Sequence, residues 1–146
     1  MPGFVLIDAG KVVHSGVLNL DAKLPANRRL HTIQNELFAV TPHVDLLLLE
    51  DIPPYMSRAG GGFRNAAVIL LHWSVGAILA SYDADSMMIP IPSWHKWVER
   101  NIGEFGVKYH KGDEKDALAM ACAVFDKVGL KLKNHDAVMK VLTDAE

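Results

Sequence analysis

A chain of 146 residues, 50% of them hydrophobic, is long enough for one well-buried domain and too short for two. A formal net charge of −2 excludes a global basic field, so any contact with nucleic acid has to come from a local patch. The single cysteine, Cys122, excludes an intramolecular disulfide framework and a thiolate metal set; on the apolar side of a long helix it reads as a small buried hydrophobe. The chain does not open on a cationic stretch followed by an apolar core and a cleavage site. Its most apolar segment, Ala66 to Ala80, holds His72 and Ser74 and is shorter than the ~20 residues a membrane span needs. The expectation is a soluble, cytoplasmic protein without a membrane partner.

In chain order, Phe4 to Ile7 is a short apolar run, and Asp8-Ala9-Gly10-Lys11 separates it from a second run, Val12 to Leu18. A Gly-containing turn between two such runs predicts a hairpin. After Leu24-Pro25, Leu30, Ile33, Leu37 and Val40 recur at helical spacing, until Thr41-Pro42 stops the helix. Val44 to Leu49 then reads as a buried parallel strand closed by Glu50. Asp51 to Gly62 contains Pro53-Pro54 and Gly60-Gly61-Gly62 and is irregular by composition. Asn65 to Ser81 is a helix apolar almost all round, which predicts burial on most sides.

Met87 to Pro92 reads as an edge-like strand broken by prolines, with Ser93 capping a short helix from Trp94 to Arg100. Gly103 to Gly112 is a loop carrying Lys108, His110 and Lys111. An acidic-headed helix runs from Asp113 to Val128, and a small last helix covers His135 to Leu142. The alternation of strand runs and helical periods after Thr41 gives an α/β class.

The chemistry concentrates in three acids. Asp113 and Asp116, three residues apart, share one face at the start of a helix, and Glu50 ends a strand. Open α/β sheets bind ligands beyond the carboxyl ends of their strands, where these groups can meet. Three converging carboxylates repel one another unless a hard cation neutralises them; Mg²⁺ or Mn²⁺ suits such oxygen donors, and two ions can drive phosphodiester hydrolysis. The bland account is that Asp113 and Glu114 only complement the helix macrodipole and that Glu50 is a polar strand end. Asp116, one turn in and beside Ala117-Leu118, is harder to assign to that role, and the joint placement favours a site. The seven histidines lack zinc spacing, and Gly60-Gly61-Gly62 lacks the Lys-Ser/Thr of a phosphate loop. Trp94 and Trp97 read as core, with base stacking the minor alternative.

Leu46 to Glu50 followed by a loop and a long apolar helix, Ile89-Pro90-Ile91-Pro92-Ser93-Trp94-His95-Lys96, and Asp113-Glu114-Lys115-Asp116-Ala117-Leu118-Ala119 together resemble the RuvC-type Holliday junction resolvases. The resemblance covers nearly the whole chain and is closest to small phage-type members. It implies a ribonuclease-H-like mixed sheet flanked by helices on both faces, in a single nuclease domain over residues 1–146. It implies further that Glu50, Asp113 and Asp116 are catalytic metal ligands for Mg²⁺ or Mn²⁺, two ions in all, in an endonuclease acting on branched DNA in recombination, repair or phage DNA processing. Arg58, Arg64, Lys96, Lys108 and Lys111 become phosphate contacts, joined by Arg100, while Tyr55, Met56 and Phe63 can wedge at a junction's unstacked centre. Symmetric junctions need two sites, so a homodimer is implied, with the helix Asn65–Ser81 as a contact surface.

One departure is large. The family opens on a strand ending in a G-I-D-P-G-like motif that supplies a further metal-binding Asp. Here Gly3 to Gly16 aligns better with the family's second and third strands, which puts Asp8 in the turn between them and leaves the first strand absent. Three accounts stay open: a true start upstream of Met1, a natural variant lacking one ligand, or Phe4 to Asp8 itself filling the first-strand position with Asp8 as the ligand. A chain without that Asp fits a catalytically impaired RuvC-like DNA-binding or assembly protein.

Overall fold

The computed structural model describes residues 2–52, 64–104, 109 and 112–144, with backbone only for 64–68. Along the chain run β1 (Gly3–Asp8), β2 (Lys11–Val17), α1 (Ala26–Val40), β3 (Leu46–Asp51), α2 (Arg64–Ser81), β4 (Asp85–Pro90), α3 (Ile91–Asn101), α4 (Asp113–Lys127) and α5 (His135–Thr143). They fall into two compact units: Met1–Leu18 with Ile91–Glu146, and Asn19–Pro90.

The first unit combines the expected hairpin with three helices. β1 and β2 pair antiparallel, from Gly3 opposite Val17 to Asp8 opposite Lys11. Ala9 (φ 50°) and Gly10 (φ 80°) both take left-handed backbone, the requirement of the two-residue turn that matches strand twist. The register skips Val13, between the pairs Leu6–His14 and Ile7–Val12, so the strand bulges there. The core is built by Trp94, Trp97 and Val98 of α3, Leu118, Ala119, Ala121 and Cys122 of α4, and Val138 and Leu142 of α5, all buried. Their i, i+3 and i+4 spacing gives each helix one apolar stripe. Both tryptophans are thus core residues, which removes them as stacking platforms for bases.

Two contacts fix how the hairpin lies on α4. A Cβ added at Gly3 would overlap the backbone carbonyl of Asp113, so β1 reaches the head of α4 only because that side chain is missing. Ser15 Oγ of β2 donates to Glu114 Oε1 at 2.6 Å. The turn end of the hairpin is held elsewhere: Lys133 N donates to Gly10 O at 2.9 Å, and Asn134 bonds both the N–H and the C=O of Val12, at 3.0 and 2.9 Å.

The second unit holds α1, β3, α2 and β4. β3 and β4 pair parallel, Leu46 opposite Asp85 through Asp51 opposite Pro90, with α2 as the crossover a parallel pair requires. α1 packs against α2, with Gln34 Nε2 donating to Ala77 O at 3.3 Å, and Tyr82 O–H reaches Thr41 O at 2.9 Å. Among the described residues the strands form two two-stranded sheets, β1–β2 and β3–β4, rather than one continuous ladder.

Three expectations need correction. Leu47 to Glu50 is half-buried rather than buried, because β3 has one strand neighbour, and Leu46 is 49% exposed. α2 is not buried on most sides: Ile69, Trp73, Gly76 and Ala80, a continuous i, i+4, i+7, i+11 stripe, are exposed. Composition registers that a helix is apolar but not how many neighbours it has. Finally, α3 starts at Ile91, so Pro92 and Ser93 stand inside its first turn, where a proline's missing N–H is no loss.

Candidate metal centre

The head of α4 gathers three acids of the first unit. Gly112, its N-cap, makes no side-chain cap, and Asp113, Glu114 and Asp116 fill the first turn, where the helix dipole favours negative charge. The structure gives the three different work. Glu114 receives the Ser15 hydroxyl and so ties the hairpin to the helix. Asp113 is exposed, its carbonyl beneath Gly3. Asp116 is half-buried, and its Oδ1 accepts a 2.6 Å hydrogen bond from the hydroxyl of Tyr109.

Tyr109 is the residue that the sequence did not single out. It stands among Lys108, His110 and Lys111, outside any periodic element, so hydrophobic patterning carries no signal for it. Its ring is 1% exposed and meets Trp94 edge-on, centroids 6.5 Å apart. A buried phenol needs a partner for its O–H, and the one it finds is an acid. Burial first, then the hydrogen bond and negative charge of Asp116, push the Tyr109 phenol above its ordinary range, so it remains a donor.

Glu50 lies in the second unit, next to last in β3, half-buried and opposite Ile89 of β4. Among the described residues no three His, Cys, Asp or Glu side chains gather into a metal-holding group. Asp113 and Asp116, two hard-oxygen donors on one helical face, still fit a cation such as Mg²⁺. That ion keeps several waters and is commonly held by one or two carboxylates together with substrate phosphates.

Asp8 is the last residue of β1, paired with Lys11, and so stands next to the expected turn rather than in it. Gly3, at the opposite end of β1, is the residue against Asp113, and a six-residue strand separates its ends by roughly 17 Å. Asp8 therefore does not join Asp113 and Asp116.

The cations divide differently. Lys96 and Arg100 are exposed on α3, away from its buried Trp94 and Trp97 stripe, and Arg64 is the first residue of α2. Arg58, Lys108 and Lys111, with Tyr55, Met56, Phe63 and His110, lie outside the described residues.

No protein-family model matches this chain, and no curated protein sequence does. Solved structures do. The chain is similar to Thermus thermophilus RuvC in complex with a Holliday junction substrate, with 13% identity, 84% of this chain and 83% of that one covered, and a TM-score of 0.51. A second structure of Thermus thermophilus RuvC aligns at 13% identity over 89% of each chain, with a TM-score of 0.46. The fold is ribonuclease-H-like α/β, with sheets flanked by helices. Among the described residues no helix is long and apolar enough to cross a membrane.

Proposed function

We propose that the chain is a divalent-metal-dependent endonuclease that resolves branched DNA, a crossover junction nuclease working in the cytoplasm of a bacterium or of a phage-infected host. The observation that carries this reading is the fold shared with a RuvC solved on a Holliday junction. It is supported by an acid next to the end of a parallel strand and by two acids on one face at the head of α4. In this reading residues 1–146 act as one nuclease domain of the small phage type.

Glu50, Asp113 and Asp116 hold Mg²⁺ or Mn²⁺, two ions in all. When bound, the cations supply activation of water and stabilisation of the leaving 3′-oxygen. The chain's own residues do the rest. The three carboxylates fix the charge of the site, and Arg58, Arg64, Lys96, Lys108 and Lys111 neutralise phosphates. With a net charge of −2, affinity depends on that patch and falls with salt, by a log–log slope of about −0.9 per phosphate contact. Two copies, joined through the exposed stripe of α2, present two sites to the two strands of a symmetric junction.

Nicking of a four-way junction by the Glu50→Gln and Asp116→Asn variants tests the proposal. Each loses cleavage by roughly 100-fold or more, the scale for removing a group that stabilises transition-state charge, and keeps junction binding. Undiminished cleavage by both variants sinks it.

A second reading has its own observation: Asp8 stands at the far end of β1 from Asp113 and supplies no further ligand there. On it, the chain is a catalytically impaired RuvC-like protein that binds or assembles on branched DNA. Junction binding then persists in EDTA and cutting is absent in Mn²⁺, whereas robust junction cutting removes this reading.

A further inference from the structure

We propose that Tyr109 is a positioning residue of the metal centre, orienting the Asp116 carboxylate through the hydrogen bond from its hydroxyl. The inference rests on the nuclease reading and adds to it a residue outside the acidic set. Three features carry it. The bond is short, 2.6 Å from the hydroxyl to Oδ1 of Asp116, within the range of an O–H donor on an ionised acceptor. The donor cannot swing away, because its ring is 1% exposed and edge-on to Trp94, a buried residue of α3. The acceptor is half-buried on the first turn of α4, on the same face as Asp113. A carboxylate accepts at about four lone-pair sites on its two oxygens, and a donor held in place at Oδ1 restricts how the group can turn. Donors of this kind behind a metal-binding carboxylate tune its affinity, and their loss typically weakens metal binding by about 10–100-fold.

The competing account is that the bond only tethers residue 109 to α4. Removing the hydroxyl would then lower stability and leave metal affinity alone.

The experiment measures Mn²⁺ binding to the full chain without DNA, by calorimetry and by electron paramagnetic resonance of the free ion. Tyr109→Phe, which keeps the ring, is expected to weaken Mn²⁺ binding by about 10–100-fold and to raise the half-saturating Mn²⁺ for junction cleavage in parallel. In an Asp116→Asn background the same change should have no further effect. Loss of Mn²⁺ binding in Asp116→Asn alongside wild-type affinity in Tyr109→Phe overturns the inference and leaves the nuclease reading standing. Absence of Mn²⁺ binding by the wild type, or unchanged binding in Asp116→Asn, overturns both. If Tyr109→Phe does not fold, the wild-type chain labelled with 3-fluorotyrosine decides. Its Tyr109 fluorine line, assigned by elimination with Tyr55→Phe and Tyr82→Phe, must broaden on adding Mn²⁺, and a line that stays sharp overturns the inference.

Discussion

The two units of this chain differ in how many apolar side chains they bury, although both leave some exposed, Val128 and Leu130 of the first unit at 61% among them. All the buried apolar side chains among the described residues belong to the first unit, except Ile33, Tyr82 and Ile89. The second unit buries few and leaves Leu46, Ile69, Leu71, Trp73, Leu79, Met87 and Met88 at its surface. Trp97 of α3 is 2% exposed amid polar neighbours such as Lys96 and Glu99, and Trp73 of α2 is 55% exposed in a helix of mostly apolar residues. The difference lies in geometry. α3 and α5 both pack against α4, which also carries the hairpin, and the second unit has α1 against α2 beside a two-stranded parallel pair. Parallel strands are ordinarily covered on both faces, yet Leu46 of β3 and Met87 and Met88 of β4 are exposed.

The contrast can be broken most directly at the two tryptophans. Trp97→Ala should cost about 3–5 kcal/mol of unfolding free energy, as for other large core truncations, read from urea denaturation. A loss below 1 kcal/mol would show that the first unit does not depend on this packing. Trp73→Glu, on the exposed stripe of α2, should leave the far-UV spectrum unchanged and weaken self-association by about 30-fold, or roughly 2 kcal/mol. Sedimentation that finds the wild type monomeric at every concentration would remove α2 as a self-contact.

Gly3→Ala comes next. Its methyl group must displace either β1 or the head of α4, a strain of about 1–3 kcal/mol. Because the carbonyl it meets is that of Asp113, Mn²⁺ affinity should fall with stability, whereas Gly76→Ala, with open space at its Cβ, should not lower stability. The smallest effect is the thiol's. Burial pushes Cys122 up to about 12, so the unfolded chain ionises first as pH rises. The stability held by the neutral thiol is complete below the ordinary thiol range and is lost as pH climbs toward the folded value, at most about 1.4 kcal/mol per pH unit. Chemical denaturation between pH 9 and 10 should show this slope in the wild type and not in Cys122→Ala.

Much of the architecture is legible in the residues, for reasons that are local. Gly10 between two β-rich runs determines a two-residue turn. Pro25 and Thr41-Pro42 bracket α1, and the acids from Asp113 onward mark the start of α4. The parallel pairing of β3 with β4 follows from a strand, a helix and a strand in succession. What the sequence conceals depends on neighbours. The exposed stripe of α2 has the composition of a buried helix, and only the number of packing partners tells them apart. Tyr109 has no periodic context, and its importance arises from a fold that brings it onto Asp116, seven residues along the chain. Within the first unit, the placement of Asp8 depends on which end of β1 meets α4, and the close approach at Gly3 fixes that end.

The bonds between hairpin and helices also set an order of assembly. Ser15 and Glu114 are 99 residues apart in sequence and Val12 and Asn134 are 122 apart, whereas Gln34–Ala77 and Thr41–Tyr82 span 43 and 41. At a synthesis rate of about 5–20 residues per second, the hairpin waits roughly 5–20 s for its helical backing, and alone a two-stranded ribbon is barely stable. The second unit can close while the ribosome is still translating α4. The first unit, with the acids at its helix head, is therefore the last part of the chain to take shape, and its contacts of high sequence separation make it the slow step of folding.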